Sequence, residues 1–290
     1  MDKDGLIVKG VAGSYTVLTD VGAYVCSPRG VFRNRNTTPL VGDNAVISIT
    51  SEEKKIGTLH TLKPRKNELR RPSVANIDQV IVTVATAQPA FNAGLLDRFL
   101  VLAEYEGIPA VICVNKNDLD SGEFSEGEDD FAPYVLAGYP LVRTSVVEGA
   151  GQDELRRVMS GKINVFAGPS GVGKSSLINS LSPKLDLEVG DLSAKLGRDK
   201  HTTRHTEIFA LGDLSENGHC VDTPGFTSLD IAHIPKNELA GLFLEFLPYL
   251  GLCKFGNCLH NKEMGCAIKD EVGSGVHPVR YDGYLKLLGL

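Results

Sequence analysis

Three modules in series are predicted: a small β-barrel, an α/β domain on a parallel sheet, and a short, mainly helical C-terminal module organised by a Cys/His cluster. Three observations carry that expectation. Between residues 5 and 64, short runs alternate apolar and polar positions and are punctuated by Gly, Asp and Asn. From residue 78 onward, continuous apolar runs alternate with helix-spaced ones. Lastly, three cysteines and a histidine fall within residues 253–266.

In order along the chain, GLIVKGVAG, YTVLTD, GAYVCSPRG, NAVISIT and IGTLHTL read as the barrel strands. That number of strands in so short a stretch fits an OB-fold or an SH3-like barrel. A basic, proline-bearing linker follows, from Lys63-Pro64-Arg65-Lys66 to Arg70-Arg71-Pro72. DQVIVTVAT (78–86) and PAVICVNK (109–116) read as strands buried on both faces. LLDRFLVLAEYEG (95–107) and QDELRRVMS (152–160) have helical spacing, and PLVRTS (140–145) and KINVFAG (162–168) continue the alternation. HTEIFALGD (205–213) and GHCVDTPG (218–225) form a further strand pair. A helix is expected near NELAGLFLEFLPYL and another near VRYDGYLKLLGL. Domain boundaries are placed at 1–70, 71–233 and 234–290.

Hydrophobic content of 42% and charged content of 23% are those of a globular protein with a buried core. No apolar run is long enough for a membrane span, and the N-terminus lacks a signal pattern, so a cytoplasmic protein is expected. Single cysteines at 26, 113 and 220 lie in apolar runs and read as buried thiols. The net charge is −6, yet residues 1–75 carry twelve Lys/Arg against seven Asp/Glu. A basic N-terminal module on an acidic middle points to a polyanionic partner.

Gly168-Pro169-Ser170-Gly171-Val172-Gly173-Lys174-Ser175, followed by Ser176, matches G-x-x-x-x-G-K-[ST] between a strand-like and a helix-like run. Glycines let backbone N–H groups converge on phosphates, Lys174 would reach the β/γ-phosphates, and Ser175 would bind Mg²⁺. Asn115-Lys116-Asn117-Asp118 ends a buried strand. A carboxylate at Asp118 can accept from both guanine N1–H and N2–H₂. Adenine offers no such donor pair and would leave it unpaired, which is worth roughly 10⁴-fold in selectivity. Thr144 and Ser145 end the next strand and read as the loop that backs the base.

Asp222-Thr223-Pro224-Gly225 ends the strand HCV, where a Mg²⁺-linked carboxylate belongs; Gly225 could offer its N–H to the γ-phosphate. Between Lys174 and Asp222 lies His201-Thr202-Thr203-Arg204-His205. Thr203 is the first candidate for the threonine that closes over Mg²⁺, and Thr202 the second. GTPases usually run phosphate loop, switch threonine, DxxG, NKxD, then the base-backing loop. Here NKxD and Thr-Ser come first. The order is a circular permutation, which leaves a three-dimensional site intact because domain termini often lie close together.

Cys253-x4-Cys258-x-His260-x5-Cys266 supplies the four ligands of one closed, structural Zn²⁺ site. So small a module needs the metal to fold.

Taken together, GPSGVGKSSLIN, NKND, HTTRH, DTPGF and the Cys/His spacing resemble the ribosome small subunit-dependent GTPase A family (RsgA, YjeQ/YloQ-like), over essentially the whole chain. The resemblance implies an N-terminal OB-fold, a circularly permuted P-loop GTPase domain and a mainly α zinc-binding domain. It implies GTP and GDP as ligands, hydrolysis stimulated by the 30S subunit, contact with 16S rRNA, and a role in late assembly of that subunit. No membrane partner is expected, and the chain is expected to act as a monomer. The alternative is a GTP/GDP-sensing RNA-binding module in which hydrolysis is incidental. One departure bears on mechanism. Ras-like enzymes place a water-orienting Gln directly after DxxG, whereas Phe226 stands there in this chain. His201 is the candidate for that task, since the family's switch motif carries a histidine there, and His205 is second.

Overall fold

The computed structural model describes residues 2–30, 32, 38–70, 73–119, 129–182, 206–211, 218–222 and 230–289. The barrel strands are β1 (Asp2–Val11), β2 (Ser14–Thr19), β3 (Gly22–Pro28), β4 (Asn44–Ser51) and β5 (Ile56–Leu62). They pair in the order β1-β2-β3-β5-β4, and β4 returns to β1 to close the barrel, with β3 and β5 parallel. This is the connectivity of a five-stranded Greek-key barrel of the OB type. Alternate residues point inward, so Ile7, Val17, Tyr24, Cys26, Ala45, Ile47 and Leu59 form its core.

The linker is more structured than its composition suggests. β6 (Glu68–Arg70) and β7 (Ser73–Ala75) form a two-stranded ladder. Arg65 binds Asp43, which is fully buried, through two hydrogen bonds of 2.6 and 2.8 Å, and Lys66 pairs with Asp78. Two of the linker cations are thus engaged within the chain itself. Gly42 (φ 91°) sits where a Cβ would collide with the Ala75 carbonyl, so barrel and ladder pack backbone to backbone.

The nucleotide domain is built on β8 (Gln79–Ala85), β9 (Ala110–Asn115), β10 (Leu141–Arg143), β11 (Ile163–Ala167), β12 (Glu207–Ala210) and β13 (His219–Asp222). Their order is β10-β9-β8-β11-β13-β12, parallel except for β12. All residues of β8, β9 and β11 are buried, as their unbroken apolar runs require. On one face lie α1 (Ala93–Tyr105) and α2 (Ala132–Leu136), whose Leu96, Phe99, Leu100 and Tyr134 join a core with Val80, Val82 and Ile112. On the other lie α3 (Gln152–Met159) and α4 (Lys174–Leu181), whose Leu155, Met159, Leu177 and Ile178 pack on Ile81, Val111 and Phe166. β12 continues sideways into the barrel by pairing with β1 at Lys9 and Glu207, which also form a 2.7 Å ion pair. Barrel and nucleotide domain thereby share one eleven-stranded sheet.

The C-terminal module differs from expectation at its first segment. In place of an α-helix near residues 237–250 there are two 3₁₀ segments, Leu239–Leu242 and Leu244–Tyr249, broken at the extended residue Phe243. Pro248 has no N–H to continue an α-helix, and the break lets Phe243 and Phe246 stack, with centroids 5.1 Å apart, against Tyr284. α5 (Ala267–Asp270) and α6 (Pro278–Leu288) complete the module. Its core takes Val101 and Leu102 from α1. Cys26, Cys113 and Cys220 are buried, and burial pushes the Cys113 thiol up to about 12. Among the described residues no helix is long and apolar enough to cross a membrane.

Candidate nucleotide site and metal cluster

The carboxyl ends of β8, β9, β10, β11 and β13 point the same way, and among the described residues the loops leaving β9, β10 and β11 converge on one crevice, the usual ligand position in an open α/β sheet. β11 delivers the chain into residues 168–173 and thence into α4. Gly168, Gly171 and Gly173 all have positive φ, at 136°, 81° and 91°. A Cβ at Gly168 would strike the Thr83 carbonyl, and one at Gly173 would lie 2.6 Å from Asn115 Nδ2. The glycines are therefore required by close approach as well as by conformation. The Lys174 ammonium folds back onto the carbonyls of Gly168 and Pro169, at 2.8 and 2.7 Å. Ser175 is buried in the first turn of α4, which carries no acidic side chain, so the positive end of the helix faces the loop.

The loop after β9 is anchored residue by residue. Asn115 Nδ2 donates to the Val172 carbonyl at 2.9 Å, tying this loop to residues 168–173. Thr144 Oγ1 donates to Asn115 Oδ1 at 3.1 Å, and Asn117 N–H donates to the Thr144 carbonyl. Ser145 Oγ donates to Asp118 Oδ1 at 2.6 Å. Among the described residues no hydrogen bond is seen to the other Asp118 oxygen, so the carboxylate is oriented with acceptor capacity for a ligand. Sequence reasoning had separated Asn115–Asp118, Ser145 and Gly168–Ser176 into three motifs; the fold brings them together. Asp222 ends β13 beside β11, while its side chain, Gly225, Phe226, and the switch residues His201, Thr202, Thr203 and His205 lie outside the described residues.

In the C-terminal module, the ligand atoms of Cys253, Cys258, His260 and Cys266 all lie within 4.8 Å of one another. The Sγ atoms of Cys253 and Cys266 are 3.9 Å apart, and His260 Nδ1 is 3.4 Å from each. A tetrahedral ion with metal–sulfur bonds of about 2.3 Å would set sulfurs about 3.8 Å apart. The cluster could therefore hold a metal ion of that size. Burial pushes the Cys258 thiol up to about 12 and lowers His260; a bound cation would draw the thiol proton off. The ligand loop is held from outside. Glu263 accepts backbone N–H bonds from Leu259 and Asn261 at 2.9 and 2.8 Å, which brings its carboxyl down to about 2. Tyr281 and Tyr284 of α6 donate to the carbonyls of His260 and Leu259.

Sequence reasoning missed the joint between this module and the nucleotide domain. Arg280 of α6 pairs with Asp97 of α1 and, at 2.6 Å, with Glu245; all three are almost wholly buried. Its guanidinium also lies over the rings of Phe243 and Tyr134, 4.7 and 4.9 Å from their centroids. A carboxylate in the apolar run LLDRFLVLA was the available signal.

Comparison with known proteins supplies the family. The RsgA GTPase family model matches residues 62–232, and that of the RsgA N-terminal domain matches residues 4–58. The chain belongs to the RsgA GTPase family. It is 44% identical over 286 residues to the small ribosomal subunit biogenesis GTPase RsgA of Alkaliphilus metalliredigens, covering 98% of this chain and 96% of the relative. It is 46% identical over 285 residues to the RsgA of Caldanaerobacter subterraneus, covering 98% and 94%. Among solved structures it resembles YjeQ from Thermotoga maritima, with a TM-score of 0.82 at 34% identity over 99% of this chain and 98% of that one. It also resembles YloQ, described as a circularly permuted GTPase, with a TM-score of 0.78 at 34% identity over 100% and 94%. As an RsgA-family member the chain is a GTP hydrolase, with a five-stranded N-terminal barrel, a permuted GTPase domain and a C-terminal Cys/His cluster that could hold a metal ion.

Proposed function

We propose that this chain hydrolyses GTP as an assembly factor of the small ribosomal subunit, acting late, in the cytoplasm and as a monomer. The barrel, residues 1–70, binds 16S rRNA; residues 71–233 form the GTPase and residues 234–290 a zinc module. The observation that carries the reading is full-length similarity to proteins named small ribosomal subunit biogenesis GTPase, joined to a crevice whose loops suit a guanine nucleotide.

In this reading Asp118, steered by Ser145, accepts the two guanine donors, while Asn115 holds the base loop to the phosphate loop and Lys116 covers the base. Asn117 braces the same loop through Thr144. Backbone N–H groups of residues 168–176 cradle the phosphates. Lys174, released from the carbonyls of Gly168 and Pro169, moves onto the β/γ-phosphates. Hydroxyl and carboxylate oxygens suit a hard cation, so Ser175 and Thr203, with Asp222 behind them, would hold Mg²⁺. When bound, Mg²⁺ neutralises charge on the β- and γ-phosphate oxygens. Gly225 donates to the γ-phosphate, and His201 orients the attacking water in place of the glutamine that Phe226 replaces. Thiolates and one imidazole in a closed tetrahedral set favour Zn²⁺ in the Cys/His cluster.

The test is the rate of GTP hydrolysis alone, with 30S subunits and with 50S subunits. Stimulation by 30S alone supports the proposal. Equal rates in all three would overturn it and favour a nucleotide-sensing module.

A further inference from the structure

Between the end of β8 at Ala85 and the start of α1, the chain crosses the nucleotide crevice in a stretch that no motif assigns: Thr86-Ala87-Gln88-Pro89. It touches two of the loops that build the crevice, those after β9 and β11. Thr86 Oγ1 donates to the carbonyl of Lys116 at 3.0 Å. The carbonyl of Gln88 accepts from the Lys116 ammonium. Pro89 Cδ lies 3.8 Å from where a Cβ on Gly171 would stand.

Lys116 is thus held at its backbone and at its side-chain tip by one short segment. Its backbone is in the left-handed region, φ 59°, which costs a lysine more than the right-handed one. The same Lys116 carbonyl also accepts from Leu119 N–H at 2.9 Å, which closes the turn that carries Asp118. The Thr86 hydroxyl therefore fixes the peptide that aims the Asp118 carboxylate. The Gln88 carbonyl keeps the Lys116 side chain along the phosphate loop, where its Cε stands 3.9 Å from the Cβ position of Gly173.

We propose that Thr86–Pro89 is a further loop of the nucleotide site, with Thr86 as a positioning residue that presets Lys116 and Asp118 for guanine. This rests on the reading of Asp118 as the guanine acceptor. A loop already in its bound conformation loses less freedom when the ligand arrives, so removing the hydroxyl weakens binding without removing any contact to the nucleotide.

The experiment titrates a fluorescent GDP analogue into the full chain, its Thr86→Val and Thr86→Ser variants, Asp118→Asn, and the Thr86→Val/Asp118→Asn double variant. Loss of one hydrogen bond predicts about two- to tenfold weaker binding for Thr86→Val, with Thr86→Ser within twofold of the parent. In the Asp118→Asn background, Thr86→Val should change affinity by less than twofold, because the carboxylate it aims is gone. Thr86→Ala reads the same quantity if the valine variant does not fold. Unchanged affinity in Thr86→Val, or an equal loss in both backgrounds, would overturn the proposal. Unchanged affinity in Asp118→Asn would instead overturn the guanine reading on which it stands.

Discussion

Replacing Arg280 with methionine removes the one cation from a buried cluster that joins α6 to α1. Asp97, Glu245 and Arg280 are 1%, 5% and 1% exposed at their side chains, so no solvent can take over the guanidinium's role. Breaking a buried ion pair by deleting one partner costs about 3–5 kcal/mol, because the remaining charge is left uncompensated. Here two carboxylates would remain. The pH dependence follows from Asp97. Burial already pushes its carboxyl up to about 6, with Arg280 opposing. Without Arg280 that opposition ends and the value rises further. A carboxyl raised in the folded state contributes stability below its ordinary range, and this is lost as pH rises through the folded value. The deficit of Arg280→Met should therefore be largest near pH 8 and shrink toward pH 5.5. A multidomain chain need not unfold in one step, and this one has no tryptophan to report on it. Native-state hydrogen exchange of α6 and α1 amides is thus the suitable assay. Exchange there should quicken by about 100- to 4,000-fold at pH 8. Adding Asp97→Asn and Glu245→Gln should recover at least half of the loss. A deficit below about 1 kcal/mol, or one that does not vary with pH, would refute the buried-charge account.

Glu263→Ala removes the acceptor of two backbone N–H groups in the metal-ligand loop, and metal affinity should fall about 10- to 100-fold in a chelator competition. Chelating the metal should abolish exchange protection in α6 while leaving the barrel strands protected, since α6 packs on the ligand loop through Tyr281 and Tyr284. His201→Ala should retain GTP affinity and lose the hydrolysis that 30S subunits stimulate; unchanged stimulated turnover would remove His201 from the mechanism. Asp43→Ala strips the buried partner from Arg65, and the barrel should lose about 1.5–3 kcal/mol by denaturant melting monitored through far-ultraviolet circular dichroism.

What was legible in the sequence is what local chemistry determines. The runs QVIVTVA, AVICVN and INVFA are apolar throughout because both faces of their strands are covered. The phosphate loop and the Cys/His ligands are readable because each set lies within a few turns of chain. What escaped depends on pairings across long separations. Arg280 and Asp97 are 183 residues apart, and neither carries a motif. Thr86 acts on a loop thirty residues away through a single hydroxyl. The segment 239–249 has helical spacing, but Pro248 and the stacking of Phe243 on Phe246 overrule it. Net charge over residues 1–75 does not show which cations are already engaged: Asp43 and Asp78 occupy Arg65 and Lys66.

The pairing of β1 with β12 also bears on how the chain can be divided. A sheet edge is a row of unmet N–H and C=O groups that recruits other strands. β4 covers β1 only from Asp2 to Leu6, and beyond that β1 meets β12 at Lys9 and Glu207, so each strand covers part of the other's edge. Cut from residues 71–290, the barrel would uncover that stretch of β1. The remainder would present a bare, four-residue edge at β12 and associate through it. In that sense β1 is a guard against self-association as well as a wall of its own barrel.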